Sequence, residues 1–534
     1  MKKHIYICSI ASLFLLAGCS DFLGVQKYGK PEGWQTDADV MNAVYSLYTF
    51  TTGDPEAITG QGIHWFECAS DDMTVGRSDA NENKIMNFEM TPSNGADVKE
   101  NWPAMYRTNT KANNIINVVP TIQGLSESVK NKALGTAYFW RGLCMLWIAP
   151  YYGDNGPNGG IPIILNDISS EGYDAKRPAS VLMNYKQIIE DMKTAAEYLP
   201  LFSELPEDEY GLPHKAAAWA FAARAALYAA TYDPSYYDVV LDMTKRVMSL
   251  TGADKRELYS DGTKESFAKF WTKENNFCSE YLFSLLGNAT HGPKFHGMSF
   301  QNGGWGLYNF WGYYQPTYDL YEAYEEGDAR RDATILMPGQ KIRFVSTDIV
   351  FGRPPYSIAS DTGMTNRKFT SPWKERANGV EYNNDGDNAS NTLGTCLIRY
   401  ADVLLMRAEA LIWSQGEGNA EAKQLLNAIR KRAGLPENSN ATKAQLKNER
   451  RCELAFEFMP SRFVDVVRWG DDEEAFTKPR RKVVPSYDPV SDKVTYTVAN
   501  FDNGRNYDRA KHHVFAIPVQ AFNGTQNLVQ NQGY

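Results

Sequence analysis

The chain has 534 residues, 43% of them hydrophobic and 22% charged, and its formal net charge at pH 7 is −9. This composition is typical of a globular protein long enough for one large domain or for two to three ordinary ones. Lys and Arg are scattered along an acidic chain, which argues against a nucleic-acid-binding surface and against polyanionic partners.

The N-terminus has the pattern of an export signal. A basic end at residues 2–4 precedes an apolar run over 5–16, and "LAGC" then closes the segment at Cys19. The run is too short for a membrane-spanning helix. "LAGC" resembles a bacterial lipobox, which implies removal of residues 1–18 and acylation of Cys19; the alternative is a plain secretory signal with an incidental cysteine. Because no later segment is apolar for long enough, we expect the mature chain to sit on a membrane without crossing it.

Helical periodicity dominates the first half of the chain. The pattern predicts helices over 127–149, 181–198, 214–230 and 236–249, with breaks near Pro150, Pro200, Pro213 and Pro234. In the third helix, small residues fall on one side and would let another helix approach closely: Ala216, Ala220, Ala223 and Ala226. Helices that arrive in pairs suggest a solenoid of tetratricopeptide type with irregular units.

The segment from about 255 to 395 has a different character. Gly, Asn, Asp, Pro and aromatic residues replace the helical pattern, and the stretch "GGWGLYNFWGYY" at 303–314 combines six rings with four glycines. Glycine at these positions argues against a helix, since each glycine costs about 1 kcal/mol relative to alanine in a helix interior. Long irregular segments inside a compact protein are usually functional when they are too aromatic to be disordered. We therefore predict loops that display rings, followed by a short helix whose Tyr318, Tyr321 and Tyr324 belong to the core.

The last third is regular again. The stretch 398–418 predicts a helix that Gly416 and Gly418 end, and the stretch 420–435 repeats its apolar spacing. Thr442 and Gln445 form a capping box for a predicted helix over 443–458. These segments together predict a helix pair followed by one more helix.

The chain resembles a known family through an ordered set of segments. Six of them occur in the order typical of the SusD/RagB outer-membrane lipoproteins: "IRYADVLLMRAEAL", "LNAIRKRAGL", "ERRCELAFE", "RFVDVVRWG", "FAIP" and the terminal "QNQGY". "NWPAMYRTNTKANNII" and "YFWRGLCMLWIAPYYGD" also match, so the resemblance spans nearly the whole chain. The departures are small: "EFMPSRF" replaces the usual glycine-containing link, and "FAIP" stands where the family often has a proline-isoleucine-proline turn.

This resemblance implies a mainly α fold, in which irregular tetratricopeptide-like helix pairs form a right-handed scaffold under a large loop-rich ligand-binding face. We expect one domain over 19–534, with the scaffold at about 37–250 and 396–470 and the ligand face at about 255–395. The resemblance also implies surface exposure and a SusC-type TonB-dependent outer-membrane porin as partner, over which the protein acts as a ligand-binding lid. Neither a cofactor nor catalytic activity is expected of the family.

An enzymatic alternative rests on three glutamates. Glu449, Glu453 and Glu457 are four residues apart on a predicted helix, which places neighbouring carboxylates roughly 6 Å apart, close to the separation in a retaining glycosidase. Basic and acidic residues share or follow this helix, namely Arg450, Arg451, Arg462, Asp465 and Arg468. A structural ion network is therefore the better interpretation.

No metal site or disulfide framework is expected. The histidine pairs His291 with His296 and His512 with His513 lack a third ligand at metal-site spacing. "NNDGDNASN" at 383–391 lacks the spacing and the late glutamate of an EF-hand, which favours a solvated turn over a calcium site. The cysteines after Cys19 are far apart and have no CxxC spacing, so we expect buried free thiols at Cys68, Cys144, Cys278, Cys396 and Cys452.

The candidate site residues follow from the chemistry of sugars. A sugar presents an apolar C–H face, which an aromatic ring matches, and a rim of hydroxyls, which polar side chains match. The stacking candidates are Trp65, Trp271, Trp305, Tyr308, Trp311, Tyr313 and Tyr314. The candidates for the polar rim are Asp71, Asp72, Arg77, Gln301 and Asn302. For each ring the alternative is that it packs its loop onto the helices.

The sequence thus predicts a non-catalytic, glycan-binding lipoprotein of the outer membrane that captures oligosaccharides or polysaccharides and delivers them to the partner porin. The alternative within the family is a peptide or glycopeptide receptor of the RagB type, and an enzyme is the third possibility. Aromatic richness favours sugar over peptide only mildly, because extended peptides also bind to rings.

Overall fold

We describe the fold from a computed structural model. The structure describes residues 33–51, 66–76, 80–95, 101–166, 176–286, 314–344, 347–355, 360–369, 394–457, 459, 461–523, 525 and 527–534. Its α-helices in chain order are α1 Asp37–Ser46, α2 Ala80–Met86, α3 Asn101–Val118, α4 Glu127–Tyr152, α5 Val181–Tyr198, α6 Lys215–Ala229, α7 Tyr236–Met248, α8 Ser266–Phe270, α9 Tyr318–Ala323, α10 Ala329–Thr334, α11 Tyr400–Gln415, α12 Ala420–Arg432, α13 Lys443–Leu454, α14 Arg462–Trp469, α15 Asp472–Thr477 and α16 Arg509–His512.

The strands of the described residues are short and form antiparallel pairs. They are β1 Met73–Val75, β2 Tyr281–Leu285, β3 Tyr314–Pro316, β4 Ile335–Leu336, β5 Lys341–Phe344, β6 Thr347–Val350, β7 Thr365–Asn366, β8 Thr395–Arg399, β9 Arg481–Asp488 and β10 Lys493–Asn500. The pairs are β1–β3, β2–β8, β4–β7, β5–β6 and β9–β10. The prediction of a mainly α protein is confirmed.

The helices of the two predicted scaffold segments pack into one series. Each of α3 to α6 packs against the next helix along the chain, and α7 then packs against α11, which also contacts α12 and α13. The helix α6 lies inside this series and is buried on nearly all sides, because it also contacts α11, β2 and β8. Its small-residue face is buried as predicted, and the opposite face is buried as well.

The helix α4 departs from its predicted end. Its N-terminus has the side chain of Ser126 as cap, but the helix continues through Pro150 to Tyr152 instead of stopping at 149. Proline at this point removes a single N–H from the last turn, and the N–H of Gly153 still bonds to the carbonyl of Ala149 at 3.0 Å. The predicted boundary is therefore wrong by three residues.

A glycine inside α4 is explained by close packing against α5. A Cβ atom added to Gly142 would lie 3.1 Å from the Cε of Met192 and 3.3 Å from the Cβ of Asp191. In the same contact, Arg141 donates to both carboxylate oxygens of Asp191, at 3.0 and 2.6 Å. The small residue permits the approach that this buried ion pair requires.

The C-terminal helices begin where the sequence predicts. The capping box is present, because the N–H of Gln445 donates to Thr442 Oγ1 at 3.2 Å and the N–H of Thr442 donates to Gln445 Oε1 at 3.0 Å. The helix α13 ends at Leu454 rather than 458, because the chain turns at Phe456, whose φ is 63°. Glu457 therefore lies just beyond the helix that was predicted to carry it.

The segment between α7 and α11 is more ordered than predicted. Its described residues contain α8 to α10 and seven short strands, β2 to β8, where the sequence predicts mostly loops. The strand β2 pairs with β8, with Tyr281 opposite Arg399 and Leu285 opposite Thr395, so the chain returns at the end of this segment to a strand near its beginning. Strands of two to five residues are too short to produce a readable alternation. The β9–β10 hairpin likewise has no counterpart in the sequence predictions.

The tyrosines of α9 and the cysteines can be compared with prediction. Tyr324 is buried, whereas Tyr318 and Tyr321 are partly buried and stack on each other with ring centroids 5.7 Å apart. All five cysteines expected to be free are free; three are buried and two, Cys278 and Cys396, are partly buried. Among the described residues, none of the helices is both long and apolar enough to cross a bilayer.

The helix α13 presents charged side chains to three different clusters. Successive side chains on a helix are about 100° apart, so Glu449, Arg450 and Arg451 point in three directions. The first ion cluster comprises Glu280, Arg330, Lys368, Arg399, Arg432, Glu449, Glu453 and Glu457. The second ion cluster comprises Arg224, Asp402, Glu409, Arg450, Asp465 and Arg468. Arg451 belongs to the third, described below.

In the first ion cluster, Arg399 connects three parts of the chain. Its Nη1 donates to Glu280 at 2.5 Å and to Glu453 at 2.6 Å, and its Nε donates to Glu457 at 2.8 Å. Burial by itself would raise the pKa of Glu453, but Arg432, Arg399 and Arg330 hold that pKa well below its ordinary value. The prediction of a structural ion network around these glutamates is confirmed.

We predict that Arg399→Ala lowers the free energy of unfolding by about 3–5 kcal/mol, because it leaves buried carboxylates without their counter-ion. Guanidinium denaturation followed by circular dichroism measures the change. The matched control is Arg246→Ala, which removes a half-exposed arginine 3.3 Å from Asp242 and should cost less than about 1 kcal/mol. Equal losses in the two variants would contradict a structural role for the first ion cluster.

Candidate ligand-binding site

A short strand pair joins the two segments that carry most of the predicted site residues. The strand β1 follows Asp71 and Asp72, and β3 begins at Tyr314, the last residue of the aromatic stretch. In the ladder, Met73 lies opposite Pro316 and Val75 lies opposite Tyr314. The last residue of β1 and the first residue of β3 therefore lie at the same end of this strand pair.

Asp71 and Asp72 form a third ion cluster with Arg451 and Arg462. Arg462 donates from Nε and Nη2 to the two oxygens of Asp71, at 2.9 and 3.0 Å. Arg451 donates from Nε to Asp72 at 2.7 Å and from Nη2 to Asp71 at 3.2 Å. The backbone carbonyls of both aspartates accept hydrogen bonds from Thr317, which follows β3. The cluster thus ties β1, β3, α13 and α14 together.

These contacts change the role predicted for the two aspartates. Burial alone would raise the pKa of Asp71, but Arg462 and Arg451 hold that pKa below its ordinary value, so the group is a carboxylate. Asp72 is buried and cannot reach a ligand, whereas Asp71 is partly exposed and lines a cleft of about 570 Å³ with Arg451 and Arg462. Asp72 is therefore a positioning residue, and Asp71 contributes to a polar surface through an ion pair.

Two of the predicted stacking rings lie in the core. Trp271 is 2% exposed and packs against Phe270 and Phe369, with ring centroids 4.7 and 5.0 Å away. The Nζ of Lys368 lies 4.7 Å from the centroid of the Trp271 ring, so this ring covers the first ion cluster. Tyr314 is fully buried in β3. The interpretation as ligand contacts is wrong for these two residues, because neither ring has a face open to solvent.

The other predicted site residues fall outside the described residues. They are Cys19, Trp65, Arg77, Gln301, Asn302, Trp305, Tyr308, Trp311 and Tyr313. The calcium alternative at 383–391 and the pair His291 and His296 also lie there. The structure therefore brings the flanks of the predicted site together at β1–β3 and removes Trp271, Tyr314 and Asp72 from it.

The remaining histidines have ordinary protein partners. His512 is buried in α16, where burial lowers its pKa to about 4, and its Nδ1 accepts the N–H of Asp508 at 2.8 Å. His513 lies 2.9 Å from Asp154, measured from Nε2 to Oδ2. No group of three His, Cys, Asp or Glu side chains arranged to hold a metal ion occurs in the part of the chain that the structure describes.

Sequence reasoning missed the partners of the third ion cluster. The sequence predicts an ion network for the arginines of α13 and α14, but nothing in their spacing indicates Asp71 and Asp72, which are 380 and 379 residues from Arg451 along the chain. The only local signal was a pair of adjacent carboxylates directly before a short apolar strand.

Glu67 fixes the start of α14 beside this cluster. Ser461 donates its hydroxyl to Glu67 at 2.6 Å, and the N–H of Arg462 donates to the other carboxylate oxygen at 2.9 Å. Burial raises the pKa of Glu67 from 4.5 to about 8, and the neighbouring Asp72 adds to the effect. Glu67 therefore binds its proton more tightly in the folded than in the unfolded chain.

Comparison with known proteins places the chain in a family. A family model described as "SusD family" matches residues 293–534, and one described as "Starch-binding associating with outer membrane" matches residues 21–227. The chain belongs to the SusD/RagB family. It is 26% identical over 505 residues to a SusD-like protein of Bacteroides ovatus, covering 88% of this chain and 83% of that protein.

Solved structures agree on the fold. A SusD-like protein of Bacteroides fragilis superposes with a TM-score of 0.76 at 23% identity, covering 93% of this chain and 97% of that one. Surface glycan-binding protein A of Bacteroides thetaiotaomicron, solved in complex with laminarihexaose, has a TM-score of 0.69 at 16% identity, covering 93% and 100%. The tetratricopeptide-like helical fold implied by the sequence resemblance is confirmed by these neighbours.

We predict that Glu67 makes stability fall as pH rises from about 4.5 to about 8, because over this interval the folded chain retains a proton that the unfolded chain releases. Glu67→Gln is uncharged at every pH, so it should be more stable than the wild type at pH 8 and close to it at pH 5. Thermal unfolding between pH 5 and 9 measures this difference.

The control for this experiment is Glu197→Gln, which alters an exposed glutamate at the end of α5. It should follow the wild-type pH profile. If Glu67→Gln keeps the wild-type pH dependence, Glu67 is ionised in the folded protein and the prediction is wrong.

Proposed function

We propose that this protein is a carbohydrate-binding lipoprotein of the outer-membrane surface, which captures oligosaccharides or polysaccharides and passes them to a SusC-type TonB-dependent porin. The observation that carries the proposal is the β1–β3 pair, which holds the end of the aromatic stretch against the segment that leads to Arg77. Loops that leave a rigid frame from one edge are well placed to present rings and polar groups to a single ligand.

The chemistry of the two segments suits a sugar. Trp305, Tyr308, Trp311 and Tyr313 supply flat apolar faces for the C–H surface of a pyranose, and Arg77, Gln301 and Asn302 supply hydrogen-bond donors and acceptors for its hydroxyls. Family membership supports the same ligand class: one matching family model is described as starch-binding, and one structural neighbour was solved with laminarihexaose.

A binding function without catalysis is supported by the state of the central carboxylates. Glu449 and Glu453 are buried, and their oxygens accept hydrogen bonds from Arg330 and Arg399. A glycosidase needs one carboxyl group that holds a proton next to the leaving oxygen and a second that faces the sugar. Glu453, sealed among arginines, is suited to neither role.

The location is proposed from the N-terminus. The basic end, the short apolar run and "LAGC" suit export followed by acylation of Cys19, and one matching family model is described as associating with the outer membrane. Acyl chains would hold the folded domain at the surface, where it meets both the glycan and the porin.

We predict that Trp311→Ala weakens binding of maltohexaose or laminarihexaose by about tenfold or more, because it removes a stacking face worth about 1.4 kcal/mol. Calorimetric titration of the soluble form, begun after Cys19, measures affinity against these two sugars and a wider panel of plant, host and microbial oligosaccharides. Release of reducing ends is assayed in parallel, and none is expected.

The matched control is Trp413→Ala, which removes a partly buried tryptophan of α11 that lies 5.0 Å from the Nζ of Lys443. It should leave affinity unchanged. Sugar binding that is equal in Trp311→Ala and wild type would contradict the proposed site. Binding of peptides in place of every sugar would replace the proposal with a RagB-type receptor.

We predict that Cys19→Ala releases the exported protein from the membrane, because the acylated residue is its only proposed anchor. Fractionation and detergent phase partitioning compare this variant with Cys68→Ser, which alters a buried cysteine in the folded domain and should leave the protein on the membrane. Retention of Cys19→Ala on the membrane would contradict the lipid anchor.

A further inference from the structure

A second cleft lies away from the β1–β3 pair. It encloses about 830 Å³ between the end of α4, α5, α6, α14 and the segment around α16. This volume falls in the range of roughly 300–1,000 Å³ that is typical of small-molecule sites. Residues that line it include Asp154, Tyr185, Tyr228, Tyr232, Arg468 and His513.

Three tyrosines give the cleft its aromatic wall. The rings of Tyr185 and Tyr232 are nearly parallel, with planes 13° apart and centroids 6.4 Å apart, and Tyr228 meets Tyr185 edge-on at 6.0 Å. Tyr232 is 36% exposed, so one large aromatic surface remains open to a ligand.

Two of these tyrosines carry hydroxyls that form no hydrogen bond with the described residues. Tyr185 and Tyr228 are 3% and 4% exposed, and among the described residues neither hydroxyl has a hydrogen-bond partner. Both residues line the cleft, and neither hydroxyl is among the fully enclosed polar atoms. Buried hydroxyls are normally paired, so these two are placed to pair with something that enters the cleft.

The polar rim is held in place before a ligand binds. Asp154 accepts hydrogen bonds from the N–H of Gly156 at 2.8 Å and from Asn158 at 2.7 Å, and it lies 2.9 Å from His513. Arg468 donates to Asp465 at 2.8 Å and pairs with Glu409, which fixes its guanidinium 5.8 Å from the ring of Tyr228. Side chains fixed by such contacts lose little entropy on binding.

The cleft is separated from the β1–β3 pair by α14. Arg462 at the start of this helix binds Asp71, whereas Arg468, about 9 Å further along the axis, lines the cleft. The cleft also lies at the far end of α4, about 39 Å along the axis from the point where Ser126 donates to Asp37 at the start of the described chain. It therefore opens far from the start of α1.

We infer that this cleft is a second binding site, for neutral hexose units of a glycan, with Tyr232 as the stacking ring and the hydroxyls of Tyr185 and Tyr228 as hydrogen-bond partners. Its lining carries both carboxylates and guanidinium groups, which suits a neutral ligand rich in hydroxyls better than an ion. The choice of a sugar among such ligands rests on the proposed function. When a polysaccharide chain is bound at one site, its remaining units are held at high effective concentration near the other site, which raises the overall affinity. A short oligosaccharide occupies one site at a time and lacks this gain.

The test uses the soluble protein begun after Cys19, with starch and laminarin as polysaccharide probes in affinity electrophoresis and the matching hexaoses in calorimetry. Tyr232→Ala should reduce polysaccharide affinity by about tenfold or more through loss of the second contact and leave hexaose binding at the first site unchanged. The matched control is Tyr198→Ala, which removes an exposed tyrosine of similar accessibility, 37%, at the end of α5. Tyr228→Phe, which removes only the hydroxyl, should also weaken polysaccharide binding.

The outcomes separate this inference from the proposed function. If Trp311→Ala loses polysaccharide binding while Tyr232→Ala behaves like Tyr198→Ala, the inference is overturned and the proposed site stands. If Tyr232→Ala alone loses binding, the cleft is supported and the β1–β3 site is not. If the wild type binds no sugar in either assay, both are overturned. Crystals soaked with a hexaose should contain sugar beside Tyr232, and an empty cleft at saturating sugar would overturn the inference.

Discussion

The structure depends on the burial of charge around α13. Glu449, Arg450 and Arg451 follow one another in sequence and, because a helix turns by about 100° per residue, each faces a different cluster of opposite charges. The members of these clusters come from β8, α6, α10, α11, α12 and α14 and from the residues just before β1 and β2. An isolated buried charge is costly, so the packing of each of these elements is favourable only when its charged partners are in place. The arrangement therefore favours this fold over alternatives, because a misplaced element would leave a buried charge unpaired.

This constraint also determines where ligands can meet the protein. The third ion cluster fastens β1 and β3 to α13 and α14, and so fixes the point from which the aromatic stretch and the segment after Val75 leave the frame. Trp271 covers the first ion cluster instead of facing solvent. On the opposite side of α14, Arg468 belongs to the second ion cluster and at the same time lines the tyrosine cleft. The charged core thus supports both candidate sites, and it contributes Asp71 and Arg468 to their linings.

The similarity to glycan-binding members of the family lies in the helical scaffold more than in the residues of the candidate site. Identity to the solved neighbours is 16–23%, whereas 93% or more of this chain superposes on them. A frame held by buried ion pairs and close helix contacts tolerates extensive surface change, since loops carry few of the contacts that define it. Differences in ligand among such proteins are therefore expected in the segments that follow β1 and β2 and precede β3, where the sequence is rich in rings and glycines.

The sequence by itself determined the features that depend on neighbouring residues. Apolar spacing predicted α5, α6, α7 and α11 to within one or two residues and α12 to within three. The sequence also predicted the Thr442 capping box, and the charges of α13 indicated an ion network. Only the tertiary structure decided which charges meet, which rings are covered and where two- to five-residue strands pair. Asp72 meets Arg451 across 379 residues, and Trp271 is enclosed by Phe369 and Lys368 from another part of the chain. Such contacts depend on how distant elements pack, and local periodicity carries no information about that packing.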